Sequence, residues 1–181
     1  MRLKTILVGL CSALFSLGLL ACAQSPGDGD GSDGNHGFNG YGNNDPYADA
    51  DLDWRQANLT WFESYPDPGS DECINYNGCT WAGHFAYFYG EKQSESWVAN
   101  THIAAVHQQD FDKYRGKILR IRQNGNQIDA KVYDLCADRD CNGCCTRNSA
   151  QTGFLIDLEL HTYHKLDGRN GVVEWACLDC D

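Results

Sequence analysis

The chain has 181 residues with a formal net charge of −11, 42% hydrophobic residues, 12% aromatic residues and ten cysteines. A surface this acidic repels phosphate backbones, which excludes nucleic acid as a partner. Neutral polysaccharides, peptides and proteins remain.

The first segment has the parts of an export signal. Arg2 and Lys4 give a positive start, Thr5 to Leu20 is apolar and short for a membrane span, and small residues follow. It ends in Leu19-Leu20-Ala21-Cys22, which resembles the bacterial lipobox, where a lipid is attached to the cysteine and the preceding peptide is removed. Residues 1–21 are therefore expected to be a lipoprotein signal peptide and Cys22 the lipidation site, with the acyl chains as the sole membrane anchor. An ordinary secretory signal is the alternative. Removing 1–21 takes away two positive charges and no negative one, leaving −13. Ala23 after the lipid cysteine resembles lipoproteins sorted to an outer membrane, where the cell has one.

Residues 22–56 read as an extended, solvated tether. Between Ala23 and Asp53 there are seven aspartates, no lysine or arginine, and no apolar period. The alternating aspartates from Asp28 fail as a calcium loop, because Asp33 occupies the position where that loop needs glycine.

Residues 57–181 read as one mainly β domain, large enough for a core. Leu59 to Phe62 predicts a first strand. Lys117 to Arg122 alternates polar and apolar, Asn124-Gly125 reads as a tight hairpin turn, and Gln127 to Leu135 returns with Ile128, Ala130 and Val132 on one face and Tyr133 on the other. A cysteine-rich loop spans 136–152. Phe154 to Ile156 is a short buried run. Leu158 to Leu166 predicts a short helix, capped at its start by Asp157 and ended by Gly168, and Gly171 to Cys177 predicts the last strand. No internal repeat is visible.

Apart from Cys11 in the signal and Cys22, eight cysteines remain: Cys73, Cys79, Cys136, Cys141, Cys144, Cys145, Cys177 and Cys180. An even set in an exported domain predicts disulfides, with Cys144 and Cys145 bonded to different partners and the pairing open. The rival is a zinc ribbon built from Cys141-x-x-Cys144 and Cys177-x-x-Cys180. Export favours disulfides, so no metal and no cofactor are expected.

Several stretches together resemble a double-psi β-barrel of the expansin, barwin and rare-lipoprotein-A group and the related inverting endoglucanases. They are Thr60-Trp61-Phe62-Glu63, Asn100 to Val106, Val132-Tyr133-Asp134-Leu135-Cys136, Ile156-Asp157-Leu158, and Gly171-Val172-Val173-Glu174-Trp175. The resemblance covers about Leu59 to Trp175. It implies a disulfide-rich, six-stranded double-psi barrel with one or two short helices. It also implies Asp157 as the position of the endoglucanase general acid, with Glu63 close to that of the general base. Expansins keep the acid, lack that base, and loosen polysaccharide without hydrolysing it. Rare-lipoprotein-A relatives cleave or bind peptidoglycan. The chain departs from the expansins in having Leu155-Ile156 where they carry histidine-phenylalanine before the aspartate, and its 136–148 loop is richer in cysteine.

Asp157 between two apolar residues suits a carboxyl whose pKa is raised by burial. Asp134 is expected either to line the groove or to hold backbone. Of the aromatic residues, Trp61 and Tyr65 flank Glu63 and, with Trp81, are the candidates for stacking on sugar rings. His161 and His164, three apart on the expected helix, read as a solvated face rather than a ligand pair. The expected protein is a monomer, exported and lipid-anchored, binding and remodelling cell-envelope polysaccharide. The alternatives are an inverting glycoside hydrolase using Asp157 and Glu63, and a protein-interaction module such as a protease inhibitor that presents the 138–147 loop as a preorganised strand.

Overall fold

In a computed structural model, residues 49–180 are described. The signal 1–21, Cys22, most of the tether and Asp181 lie outside the described residues.

Six strands form a closed barrel in the order β1-β5-β2-β4-β3-β6. They are β1 (Arg55–Phe62), β2 (Ile103–His107), β3 (Ile118–Gln123), β4 (Asn126–Cys136), β5 (Leu155–Glu159) and β6 (Gly171–Cys177). Two pairs are parallel, β1 with β5 and β2 with β4. The other four are antiparallel. Exchanging β1 with β4, β2 with β5 and β3 with β6 returns the same cycle with the same pair directions. The barrel therefore has an internal pseudo-dyad and two interlocked parallel crossovers, which is the double-psi arrangement.

That symmetry exposes a repeat not visible in the sequence. β2 runs straight into α3 (Gln108–Tyr114), and β5 runs into α5 (Leu160–Leu166). Both helices have seven residues. In both, the last strand residue is the cap and its side chain accepts the N–H two residues on: His107 from Gln109 and Glu159 from His161. The pairing Ala104↔Leu158, Ala105↔Asp157, Val106↔Ile156 centres the dyad on Ala105 and Asp157. Side-chain identity differs between the halves while the lengths of β2 and β5, the cap position and the helix length match, so composition alone does not display the repeat.

The core follows the alternation. Ala57 and Leu59 of β1, Leu119 and Ile121 of β3, Ile128, Ala130 and Val132 of β4, and Val173 and Trp175 of β6 pack with Ile156 and Leu158. A second cluster is aromatic: Phe85, Val98 and Ile103, with Phe62, Tyr65, Phe88, Trp97 and Tyr133 against them. The sequence shows one or two short helices, whereas five are present among the described residues. The remaining three are α1 (Asp71–Asn75), α2 (Glu95–Asn100) and α4 (Cys144–Ser149). Segments of five or six residues are too short to display a helical period. Among the described residues no helix is long and apolar enough to cross a membrane.

Three boundaries differ from the sequence reading. Arg55 and Gln56, read as tether, pair with Trp175 and Glu174 in the barrel. Just before them, Asp49 bonds to the Arg120 guanidinium at 3.0 Å, and Arg122 lies 3.7 Å over the Trp54 ring. The helix after β5 begins at Leu160 and is capped by Glu159, so Asp157 is a mid-strand residue and not a cap. The left-handed residue closing that helix is Asp167 (φ 54°), not Gly168.

The eight domain cysteines form four disulfides: Cys73–Cys79, Cys136–Cys145, Cys141–Cys144 and Cys177–Cys180. Cys144 and Cys145 take different partners, as expected.

The hairpin at Asn124-Gly125 forms as read, with φ values of 53° and 85°. A Cβ on Gly125 would meet nothing within 4 Å. Gly125→Ala is therefore expected to cost about 1 kcal/mol through backbone conformation alone. Urea denaturation of the two proteins measures it, and an unchanged midpoint would refute the turn type.

Candidate functional site

Asp157 sits in the middle of β5, flanked by Ile156 and Leu158, both fully buried. Its cross-strand neighbours are Thr60 on β1 and Ala105 on β2. The Thr60 hydroxyl donates to Asp157 Oδ1 at 2.7 Å. Alanine at 105 adds only a methyl on the other side. One edge of the carboxyl thus reaches open space while the rest is surrounded by protein. Burial raises its pKa to about 6, and the Thr60 hydrogen bond holds it partly back.

That open space is a cleft of about 860 Å³. Its floor carries Asp157, Thr60, Ala105 and Asp134. Asp134 arrives there through a shift in register: β2 pairs Ala104 with Val132 but Ala105 with Asp134, so Tyr133 is skipped and turns into the aromatic cluster. Asp134 Oδ1 accepts the backbone N–H of Ala86 at 3.0 Å. The sequence left two roles open for this residue, and it occupies both positions. Burial first, and then the nearby Asp157 charge, raise its pKa to about 7 against the pull of the Ala86 and Leu135 N–H groups.

Glu63 follows β1, is half-buried and lines the cleft beside Ser64. Trp61 and Trp81 also line it, with 41% and 49% of their surfaces exposed. Tyr65 does not. It packs beside Phe85 and Ile103, and its hydroxyl donates to the Gln93 carbonyl.

Glu72, Gly78 and Tyr76 are among the cleft residues that the sequence does not mark. Glu72 enters from α1, directly before Cys73, the first residue of the loop closed by Cys73–Cys79. Burial, followed by the Asp157 charge, raises its pKa to about 7 although the Glu63 N–H favours its charged form. Gly78 is packed so closely that a Cβ there would come within 2.7 Å of Glu72 Cγ. Tyr76, 46% exposed, adds a third aromatic to the rim. In sequence Glu72 is an ordinary acidic first-turn residue, and only its neighbour Cys73 marks the loop as fixed.

His161 and His164 lie on the exposed face of α5 and are not among the residues lining the cleft. The cleft offers carboxyls of unequal acidity, a threonine hydroxyl and aromatic faces. That set can hold and protonate a polar, ring-shaped ligand.

No protein-family model matches this chain, and no curated protein matches it in sequence. Solved structures do share its shape. A papain inhibitor of Streptomyces aligns at 16% identity with a TM-score of 0.43, over 71% of this chain and 97% of its own. An endoglucanase of the GH45 type in complex with cellobiose aligns at 18% identity with a TM-score of 0.43, over 70% of this chain and 81% of its own. An expansin of Clavibacter michiganensis aligns at 11% identity with a TM-score of 0.38, over 68% of this chain and half of its own.

The raised carboxyls set a pH dependence. A carboxyl that is more basic folded than unfolded binds its proton more tightly in the folded state, so the stability it supports falls as pH rises. For Asp134 the window runs from the ordinary aspartate value of 3.8 to about 7. Asp134→Asn keeps an oxygen for the Ala86 N–H and removes the titration. The variant is expected to match the wild type at pH 4 and exceed it in urea midpoint at pH 8. An equal or lower midpoint at pH 8 would refute burial as the dominant influence on this carboxyl. The closed six-strand barrel with its two interlocked parallel crossovers is a double-psi β-barrel.

Proposed function

We propose that this domain binds polysaccharide along the cleft, with Asp157 contacting the sugar and Trp61 and Trp81 stacking on its rings. One observation carries the reading: exposed aromatic faces border a concave floor whose central carboxyl is half-buried and protonates near pH 6. Flat apolar faces suit the axial C–H surfaces of pyranose rings, and a carboxyl at the floor suits their hydroxyls. The cellobiose held by the endoglucanase of similar shape is a ligand of the same class. Four disulfides in one domain of this size fit an exported protein. Cys22, as a lipidated residue, would tether it to the cell envelope through the aspartate-rich stretch, in the outer membrane of a cell that has one. Its targets are then cell-wall glycans such as peptidoglycan, or glucans.

A second reading adds hydrolysis with inversion. It needs Asp157 protonated as acid and a carboxylate across the cleft, here Glu63, to activate water. Both residues line the same cleft, which supports this reading beside simple binding. The inhibitor reading is weaker. The 138–147 loop, expected as an extended strand, forms a 3-10 turn (Asp138–Asp140) and the start of α4, and the surface around Asp157 is concave.

The test is retention of the mature chain on insoluble cellulose, chitin and peptidoglycan. Binding to at least one is expected, and Trp61→Ala with Trp81→Ala should weaken it about tenfold, equivalent to about 1.4 kcal/mol. Retention on none of the three would sink the proposal. If reducing ends are released, Asp157→Asn is expected to abolish release, and the wild-type rate should fall as pH rises through about 6. Release that persists in Asp157→Asn would remove hydrolysis by this residue.

A further inference from the structure

In sequence, Cys141-x-x-Cys144 and Cys177-x-x-Cys180 have the spacing of a zinc ribbon. The structure assembles a different four. Cys136, Cys141, Cys144 and Cys145 bring their sulfurs within 4.8 Å of one another. The last residue of β4, the turn after it and the start of α4 supply them.

We propose that, once its two disulfides are reduced, this cluster is a tetrahedral four-thiolate site for zinc. Two contacts between the disulfides set the geometry. Cys141 Sγ and Cys145 Sγ are 3.8 Å apart, as are Cys144 Sγ and Cys145 Sγ. A tetrahedral zinc with bonds of about 2.3 Å holds its sulfurs about 3.8 Å apart. The Cys141-Asn142-Gly143-Cys144 turn already has the form of a metal knuckle. Asn142 and Gly143 take positive φ values of 50° and 82°, and the Cys144 N–H donates to Cys141 Sγ at 3.1 Å. An N–H aimed at a sulfur stabilises the thiolate that a metal requires. Arg147, whose guanidinium donates to the Asn142 carbonyl, puts a cation beside a site that would carry two net negative charges.

The chemistry balances with an external dithiol as reductant. Two dithiol molecules each deliver two electrons, both S–S bonds break, four thiols form, and each reductant closes to a cyclic disulfide. One zinc ion then replaces four protons. Cys136, Cys141 and Cys144 line the cleft, which gives a reductant its approach. The cluster thus has two closed states, disulfide-bonded in oxidising surroundings and metal-bonded in reducing ones. Either state keeps α4 fastened to the end of β4.

The test uses cobalt as a spectroscopic stand-in for zinc, with the full chain after anaerobic reduction. The expected result is saturation at one cobalt per chain, with the visible bands of tetrahedral thiolate cobalt, bleached by zinc. Cys141→Ser with Cys144→Ser should abolish the bands. Cys177→Ser with Cys180→Ser should leave them unchanged, and the oxidised protein should show none. Near-ultraviolet circular dichroism reports whether the barrel stays folded. Absence of the bands in reduced wild type overturns the proposal, whether the chain stays folded or not. So does their survival without Cys141 and Cys144, or their loss on removing Cys177 and Cys180. Glycan retention has no part in the readout, so this proposal and the polysaccharide reading fail separately.

Discussion

A carboxyl group in the middle of an apolar strand is the constraint around which this domain is arranged. Burying a charge is among the costliest acts in folding, and β5 does it at Asp157 between Ile156 and Leu158. Three neighbours make the position tolerable. Thr60 supplies a hydrogen bond, Ala105 leaves space, and the cleft wets one edge. The task of capping α5 falls to Glu159, which is 1% exposed and is held by the N–H of His161. Asp157 is thereby released from local structure and faces outward.

Much of the wall around that floor comes from loops, beside the ends of β1 and β4. α1 carries Glu72 next to the Cys73–Cys79 disulfide, and the cysteine-rich segment carries Asp140 and Arg147. The two are tied across the gap. Asp140 Oδ1 accepts from Asn77 Nδ2 at 3.1 Å and from Trp81 Nε1 at 3.4 Å. Short covalent loops have little freedom to lose, so their side chains are placed before any ligand arrives. A second polar group of the same segment works inward. The Thr146 hydroxyl donates to Asp138, and His107 sits against both. This fixes the segment to the end of β2.

The barrel was largely legible in the sequence because its strands alternate and its turns are chemically marked. Asn124-Gly125 named the β3–β4 hairpin, and Gly171 to Cys177 matched β6 residue for residue. Asp157 was legible for the opposite reason, as a charge that breaks an apolar run. The start of α5 was misread because a seven-residue helix directly after a strand leaves no composition change, and both Asp157 and Glu159 can cap. Tyr65 was misplaced because adjacency to Glu63 says nothing about which way a chain turns after a strand ends. Glu72 was invisible because its cleft position depends on a fold across the sequence, from α1 to β5. The repeat was hidden since a dyad preserves geometry more strictly than identity.

That dyad bears on how many acidic centres the barrel can hold. It carries Ala105 onto Asp157 and Asp134 onto Thr60. Restoring full symmetry with aspartate at 105 would set two carboxyls on facing strands, with Cβ atoms about 4.5–5.5 Å apart. Like charges that close resist joint ionisation. Two interchangeable halves would therefore frustrate one another at their shared axis. With a methyl group at 105 in one half and a carboxyl at 157 in the other, the two-fold scaffold carries its acidic group on one side of the axis only.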